Sequence, residues 1–249
     1  MTDPMTPNKT AAQRQPGWPV IFFLPARLIF SALAQGLTAI LLAWSGADAP
    51  LLRAAGWWPV FLSLADGLCL AGLVWLTRRE GKTLIDLVGA RGRAAARQLA
   101  WVPVMLAAML PAAGLARVIT QLFYGSAPPP MFTVLDLPLA GRLYALLVWP
   151  VIWSITEELV YLGYLLPRLE ALTGRTWPAA LAVIFFWGLQ HLANPFLPDA
   201  TYLLSRVLAA FAAVGGMTVV FLLLRRRLVA MMGVHYLFDL ITGVMIFLS

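Results

Sequence analysis

The sequence predicts an all-α, polytopic integral membrane bundle of about seven transmembrane helices. Composition, the length of the apolar runs and the placement of basic residues all point there. Hydrophobic residues make up 61% of the 249-residue chain and charged residues 12%, with a mean hydropathy of +0.82. Soluble domains carry roughly 45–50% apolar and 25% charged residues, so most of this surface must be solvated by lipid. No soluble fold accommodates it.

A helix crosses the hydrocarbon core with about 20 apolar residues. Apolar runs bounded by charge or by Pro and Gly lie at Pro19–Trp44, Trp57–Leu76, Leu99–Tyr124, Gly141–Leu169, Trp177–Ala193, Tyr202–Leu224 and Leu228–Leu248. Basic residues then alternate by loop. Lys9 and Arg14 precede the first span; Arg78, Arg79, Lys82, Arg91, Arg93 and Arg97 follow the second; Arg168 and Arg175 follow the fourth; Arg225–Arg227 follow the sixth. Seven spans put every basic loop in the cytoplasm, with the N-terminus inside and the C-terminus outside. Residues 1–18, polar and holding Pro4, Pro7 and Pro16, read as a disordered cytoplasmic tail and not as a signal peptide. Residues 19–249 read as one transmembrane domain. An Ala-, Leu- and Arg-rich chain of this kind fits a bacterial plasma membrane.

The formal charge of +7 and pI near 10.2 do not indicate nucleic acid, because the charges sit in short loops where anionic headgroups hold them. Cys69 is the only cysteine, which excludes a disulfide and leaves a small core residue. Trp18, Trp44, Trp57, Trp58 and Trp177 fall at span ends, the headgroup level, whereas Trp149, Trp153 and Trp187 lie deeper, between helices. No inverted repeat of the transporter kind is present.

Ionisable groups inside lipid are costly and are functional candidates by default. Arg27 and Arg206 lie near span ends, where a long stem snorkels to the interface; Asp66 and Arg117 lie deeper, where they can pair structurally. Five others stand apart: Glu157 and Glu158, His191, and His235 with Asp239, on three helices and including both histidines of the chain. At about 1.5 Å per residue, Glu157 is about 18 Å from the cytoplasmic end of its span, His191 about 21 Å, His235 about 10 Å and Asp239 about 16 Å. One polar chamber can hold them all.

His235 and Asp239 are spaced i,i+4, so the aspartate can orient the imidazole or share its proton. Trp187, one turn before His191, can wall the same site. Adjacent residues on a helix diverge by about 100°, which gives Glu157 and Glu158 different jobs. A desolvated glutamate can act as general base on a water, and imidazole N–H groups can stabilise an oxyanion. Two histidines and a glutamate can alternatively ligate zinc. Buried polar groups also glue helices through hydrogen bonds of ~0.6–2 kcal/mol, but that role does not require five of them together.

The order and spacing of these residues resemble the CPBP family, the CAAX proteases and bacteriocin-processing enzymes, whose signature is EExxxR, then FxxxH, then HxxxN or HxxxD on successive transmembrane helices. The resemblance covers about Leu143–Leu248 and makes 141–248 a CPBP-like core. It implies an intramembrane endopeptidase with Glu157 as the water-activating base, Glu158 its paired glutamate, His191 the histidine of the second motif and His235 with Asp239 the third. It also implies a chamber open to the cytosol and a peptide or membrane-protein substrate. Two departures stand out: Leu162 occupies the place of the family's arginine, and Trp187 that of its phenylalanine. The first leaves Glu158 in need of protonation or another donor, and Arg168, about 15 Å further along the helix, is poorly placed to supply it. A noncatalytic relative, an immunity factor or peptide-binding scaffold, is the alternative.

Overall fold

The structure, a computed structural model, describes residues 17–249, so most of the predicted tail, with Lys9 and Arg14, lies outside the described residues. Helix α1 (Gly17–Phe23) takes up the last two tail residues and leads into α2 (Ala26–Trp44). Pro25 separates them, since it lacks the N–H that a continuous helix would bond. The remaining elements are α3 (Pro50–Ala55), α4 (Trp58–Arg79), α5 (Leu84–Val88), α6 (Arg93–Leu99), α7 (Val102–Tyr124), α8 (Pro130–Thr133), α9 (Leu139–Leu147), α10 (Trp149–Glu157), α11 (Leu166–Thr173), α12 (Thr176–Leu189), α13 (Ala200–Leu223) and α14 (Leu228–Leu248). A π-helical segment, Glu158–Leu165, joins α10 to α11, and a 3₁₀ turn, Gln190–Ala193, extends α12. No strand occurs among the described residues. The protein is an all-helical, multi-pass membrane bundle.

Six helices are long and apolar enough to cross a bilayer, and the count reaches seven where α9 with α10–α11, bent by 41°, is taken as one span. Pro150 opens α10 immediately after the bend, a common cause of such kinks. Large apolar side chains face outward all round, among them Trp44, Leu122, Leu223 and Leu248, as lipid-facing positions must. Inside, one apolar cluster surrounds the π-helical segment and includes Leu162, Leu165 and Val234, and a second centres on Trp58, Trp149 and Trp153. The three indoles pack edge to face, with centroids 4.9–5.9 Å apart. Trp58 is therefore a core residue, not the headgroup anchor its place at a span end suggested. Gly243 lets α14 approach α9 closely: a Cβ there would lie 2.6 Å from the Ala145 carbonyl oxygen.

The two faces of the bundle are chemically distinct. On one, Glu80 accepts from Nε and Nη2 of Arg168, Glu170 takes Arg226 at 2.6 Å, and Gln98 accepts from the Val229 amide at 3.1 Å. This is the basic face, and it holds every loop rich in Lys and Arg among the described residues. The opposite face is closed by Gln35, which donates to Phe196 O and accepts from the Phe196 amide, both at 2.8 Å, and by Arg53 near Asp136 at 3.6 Å.

Burial pulls the Glu80 carboxyl upward, but the Arg168 guanidinium outweighs it and holds the group below its ordinary value. A depressed carboxylate stabilises the fold at pH above its unfolded pKa, and that contribution is lost as pH falls through the folded value. Glu80→Gln is expected to lower stability near neutral pH by about 0.5–1 kcal/mol and to flatten the decline below about pH 4.5. Thermal unfolding in detergent against pH measures both.

Candidate functional site

Glu157 ends α10 and is almost fully buried. Its Oε1 accepts from Gln190 Nε2 at 2.8 Å and pairs with Arg27 Nη1 at 2.5 Å; its Oε2 accepts from the Trp187 indole N–H. Arg27 in turn donates through Nε to Asp66 Oδ1 at 2.8 Å and lies over the Trp153 ring at 4.6 Å. With its amide oxygen facing Arg27, Asn194 accepts from Nη1 at 3.0 Å and donates to Ser31 Oγ at 2.9 Å. Arg27, Asp66 and Glu157 are each no more than 1% exposed.

Two sequence expectations fail here for one reason. Arg27 does not snorkel, because α1 continues below it and places it about 15 Å into the bundle. Asp66 consequently pairs with Arg27 and not with Arg117, which is exposed on α7. The cost of burying three charges is offset only because each meets an opposite charge at hydrogen-bonding distance.

The π-helical segment begins at Glu158 and turns that carboxylate away from its neighbour. Glu158 is fully buried and its Oε1 lies 3.1 Å from His235 Nδ1. His235 Nε2 lies 3.4 Å from Asp239 Oδ2 and 3.9 Å from Glu157 Oε2. Both ring nitrogens thus face carboxylates, an arrangement that suits the doubly protonated imidazolium. The donor that Glu158 lacks by having Leu162 one turn on is His235. Leu162 is 1% exposed and packs in the apolar cluster, while Arg168 is committed to Glu80 and stacks on Tyr164 at 3.7 Å.

His191 stands apart from these contacts, in the 3₁₀ turn. Its Nδ1 lies 3.1 Å from Trp187 O; since a carbonyl only accepts, that nitrogen carries the proton and Nε2 is left for a ligand. Glu157, His191, His235 and Asp239 all line one cavity of about 640 Å³. Of the five residues singled out in the sequence, Glu158, His235 and Asp239 lie in direct contact, Glu157 stands 3.9 Å from His235, and His191 joins them across the cavity wall. Gln190, Arg27 and Asp66 were missed as site residues. Gln190 beside His191 carried a faint signal, but nothing local connects Arg27 to Glu157.

Among the described residues no three His, Cys, Asp or Glu side chains converge in the manner of a metal cage. Glu157, the glutamate that a zinc site would draw on, already accepts from the N–H groups of Arg27, Trp187 and Gln190.

The cavity also has a direction. Where its lining reaches loop level it does so at Tyr124, Pro129, Met131 and Phe132, which belong to the face opposite the basic one. Deeper lining residues on the basic side, such as Met109 and Met217, are buried. The chamber therefore extends from the acidic and imidazole cluster away from the basic loops, which differs from the cytosolic opening that the resemblance and the positive-inside rule together imply.

Residues 139–241 match the family model described as type II CAAX prenyl endopeptidase Rce1-like. That segment is similar to the CPBP and CAAX-protease family, and the match supports a protease fold of that kind. Neither a curated protein nor a solved structure matches the chain. The Rce1-like segment contains Glu157, Glu158, His191, His235 and Asp239, while Arg27 and Asp66 are supplied from outside it.

Two outcomes are expected. Leu162→Arg, which restores the family's motif residue, forces a longer side chain into the filled apolar cluster and competes with His235 for Glu158; it should destabilise the protein by about 1–3 kcal/mol, seen as a lower unfolding temperature. With Cys69 replaced by Ala, a membrane-impermeant thiol reagent should label Thr120→Cys and Thr242→Cys from the side opposite to that which labels Arg93→Cys in the basic loop. Labelling of all three from one side would contradict the direction of the cavity.

Proposed function

We propose that the protein is an intramembrane endopeptidase that hydrolyses a membrane-associated peptide with a glutamate-activated water. The observation that carries this reading is Glu157 Oε2 facing His235 Nε2 at 3.9 Å on the wall of the cavity. The gap is too long for a direct hydrogen bond and is the spacing a bridging water fills. Similarity of the Rce1-like segment to a protease family supports it.

In this reaction Glu157 takes a proton from the water as it attacks the scissile carbonyl. The resulting oxyanion is stabilised by the imidazolium N–H of His235, whose orientation Glu158 and Asp239 maintain, and by His191 across the cavity when its Nε2 is protonated. Glu157 then passes its proton to the leaving amine. Arg27, Trp187 and Gln190 hold the base in one rotamer, so that little reorganisation accompanies proton transfer. Glu158 does not touch the reacting atoms and acts as a positioning residue. Leu162 in the place of the family's arginine is the observation that favours the alternative, a noncatalytic membrane immunity or scaffold protein.

Purified protein in detergent with a quenched peptide library separates the two. Glu157→Gln and His235→Ala are each expected to lower cleavage by about 100- to 10,000-fold; Glu157→Gln, which takes one carboxylate out of the buried Arg27 network, also lowers the unfolding temperature. Glu158→Gln should lower it less and shift the pH profile. A chelator should leave the rate unchanged. Cleavage by Glu157→Gln at the wild-type rate would sink the mechanism.

A further inference from the structure

The half of the cavity toward the non-basic face contains charge that the proposed reaction does not use. Arg117 on α7 and Arg206 on α13 both line it. At about 1.5 Å per residue, each lies about 10 Å inside the end of its helix on that face. Neither pairs with an acid among the described residues: of the acids lining the cavity, Glu157 is held by Arg27 and Asp239 faces His235. Arg206 Nη2 donates only to Asn194 O, at 3.3 Å, and its Nε is buried without a partner.

The surrounding wall is rich in donors. Tyr124 and Ser205 share a hydrogen bond of 3.0 Å that ties α7 to α13 beside the arginines. The rings of Trp58, Trp149 and Trp153 also line the cavity, and their indole N–H groups are buried without acceptors. Unpaired cations at membrane depth are costly unless they face a water-filled cavity or meet an anion there. Two of them on one wall, beside surplus N–H donors, favour a ligand that is anionic and rich in oxygen.

We propose that Arg117 and Arg206 form a receiving site for a carboxylate of the substrate peptide, either its C-terminus or an acidic side chain near the scissile bond. This rests on the peptidase reading, because both arginines, the exposed Arg117 and the part-buried Arg206, line the same cavity as Glu157 and His235. Arginine suits a carboxylate, which it can take with two parallel N–H bonds. The substrate is then a segment presented on the face opposite the basic loops, with negative charge close to an apolar stretch.

The test measures binding without turnover, using Glu157→Gln protein in nanodiscs of phosphatidylcholine. Three apolar fluorescent heptapeptides serve as probes: one with a free C-terminal carboxylate, its C-terminal amide, and the amide with one internal Glu. Either acidic peptide should bind about tenfold or more tightly than the neutral one, the equivalent of one charge-assisted hydrogen bond, and the two acidic arms say which source supplies the carboxylate. Arg206→Gln and Arg117→Gln should each erode the preference, while Arg206→Lys retains part of it. Equal or absent binding of the three peptides, or a preference that survives both Gln substitutions, overturns the proposal. So does binding that responds only to added phosphatidylglycerol, which would assign the arginines to headgroups. A wild type that discriminates among the peptides yet cleaves none retains this site and removes the peptidase reading.

Discussion

A guanidinium held between two carboxylates in an apolar interior governs the rest of this structure. Arg27 brings its charge from α2, Asp66 answers from α4 and Glu157 from α10, with Asn194 closing the set from beyond α12. Stranding any one of them would leave an uncompensated charge in a low dielectric, at a cost of several kcal/mol. A helix cannot slip by one turn, about 5.4 Å, without doing so. Apolar packing alone tolerates such slippage, since lipid solvates one leucine as well as another. The ion network therefore sets the axial register of the helices that carry the site, and the Trp58, Trp149 and Trp153 cluster fills the space beside it.

The fourth span shows how local backbone geometry converts that register into chemistry. Pro150 opens α10 after a 41° bend, and a π-helical segment follows from Glu158. Such segments recur at functional sites because they re-aim side chains that a regular helix would hold elsewhere. Here Glu157 lines the cavity while Glu158 lies sealed in the interior against His235. Two adjacent, chemically identical groups thereby acquire different surroundings, one to meet substrate in the proposed reaction and one to hold an imidazole in place.

The distribution of charge relates this site to the membrane. Basic residues gather on one face, where Glu80 and Glu170 pair with arginines from neighbouring segments, and the cavity extends toward the other. The Rce1-like segment supplies the acidic and imidazole residues, whereas α2 and α4, which precede it in the chain, supply Arg27 and Asp66. The absence of an arginine at Leu162 is thus met by His235 for Glu158, and Glu157 is held by a cation from a different helix.

Much of this was legible in the sequence. Long apolar runs and alternating basic loops determined a helical membrane bundle of about seven spans, because lipid leaves a backbone few alternatives to helix. The intervals among Glu157, Glu158, His191, His235 and Asp239 marked three helices as carriers of one chamber, since ionisable groups are seldom left at depth without purpose. Partner choice was not legible. Arg27 looked like a snorkelling residue until α1 placed it deep, and Trp58 looked like an interface anchor until the bundle closed around it. The opening of the cavity toward the face opposite the basic loops also depends on which helices pack and which splay. These outcomes turn on contacts between residues far apart in the chain, and periodicity records only which face of a helix is apolar, not which charge it will meet.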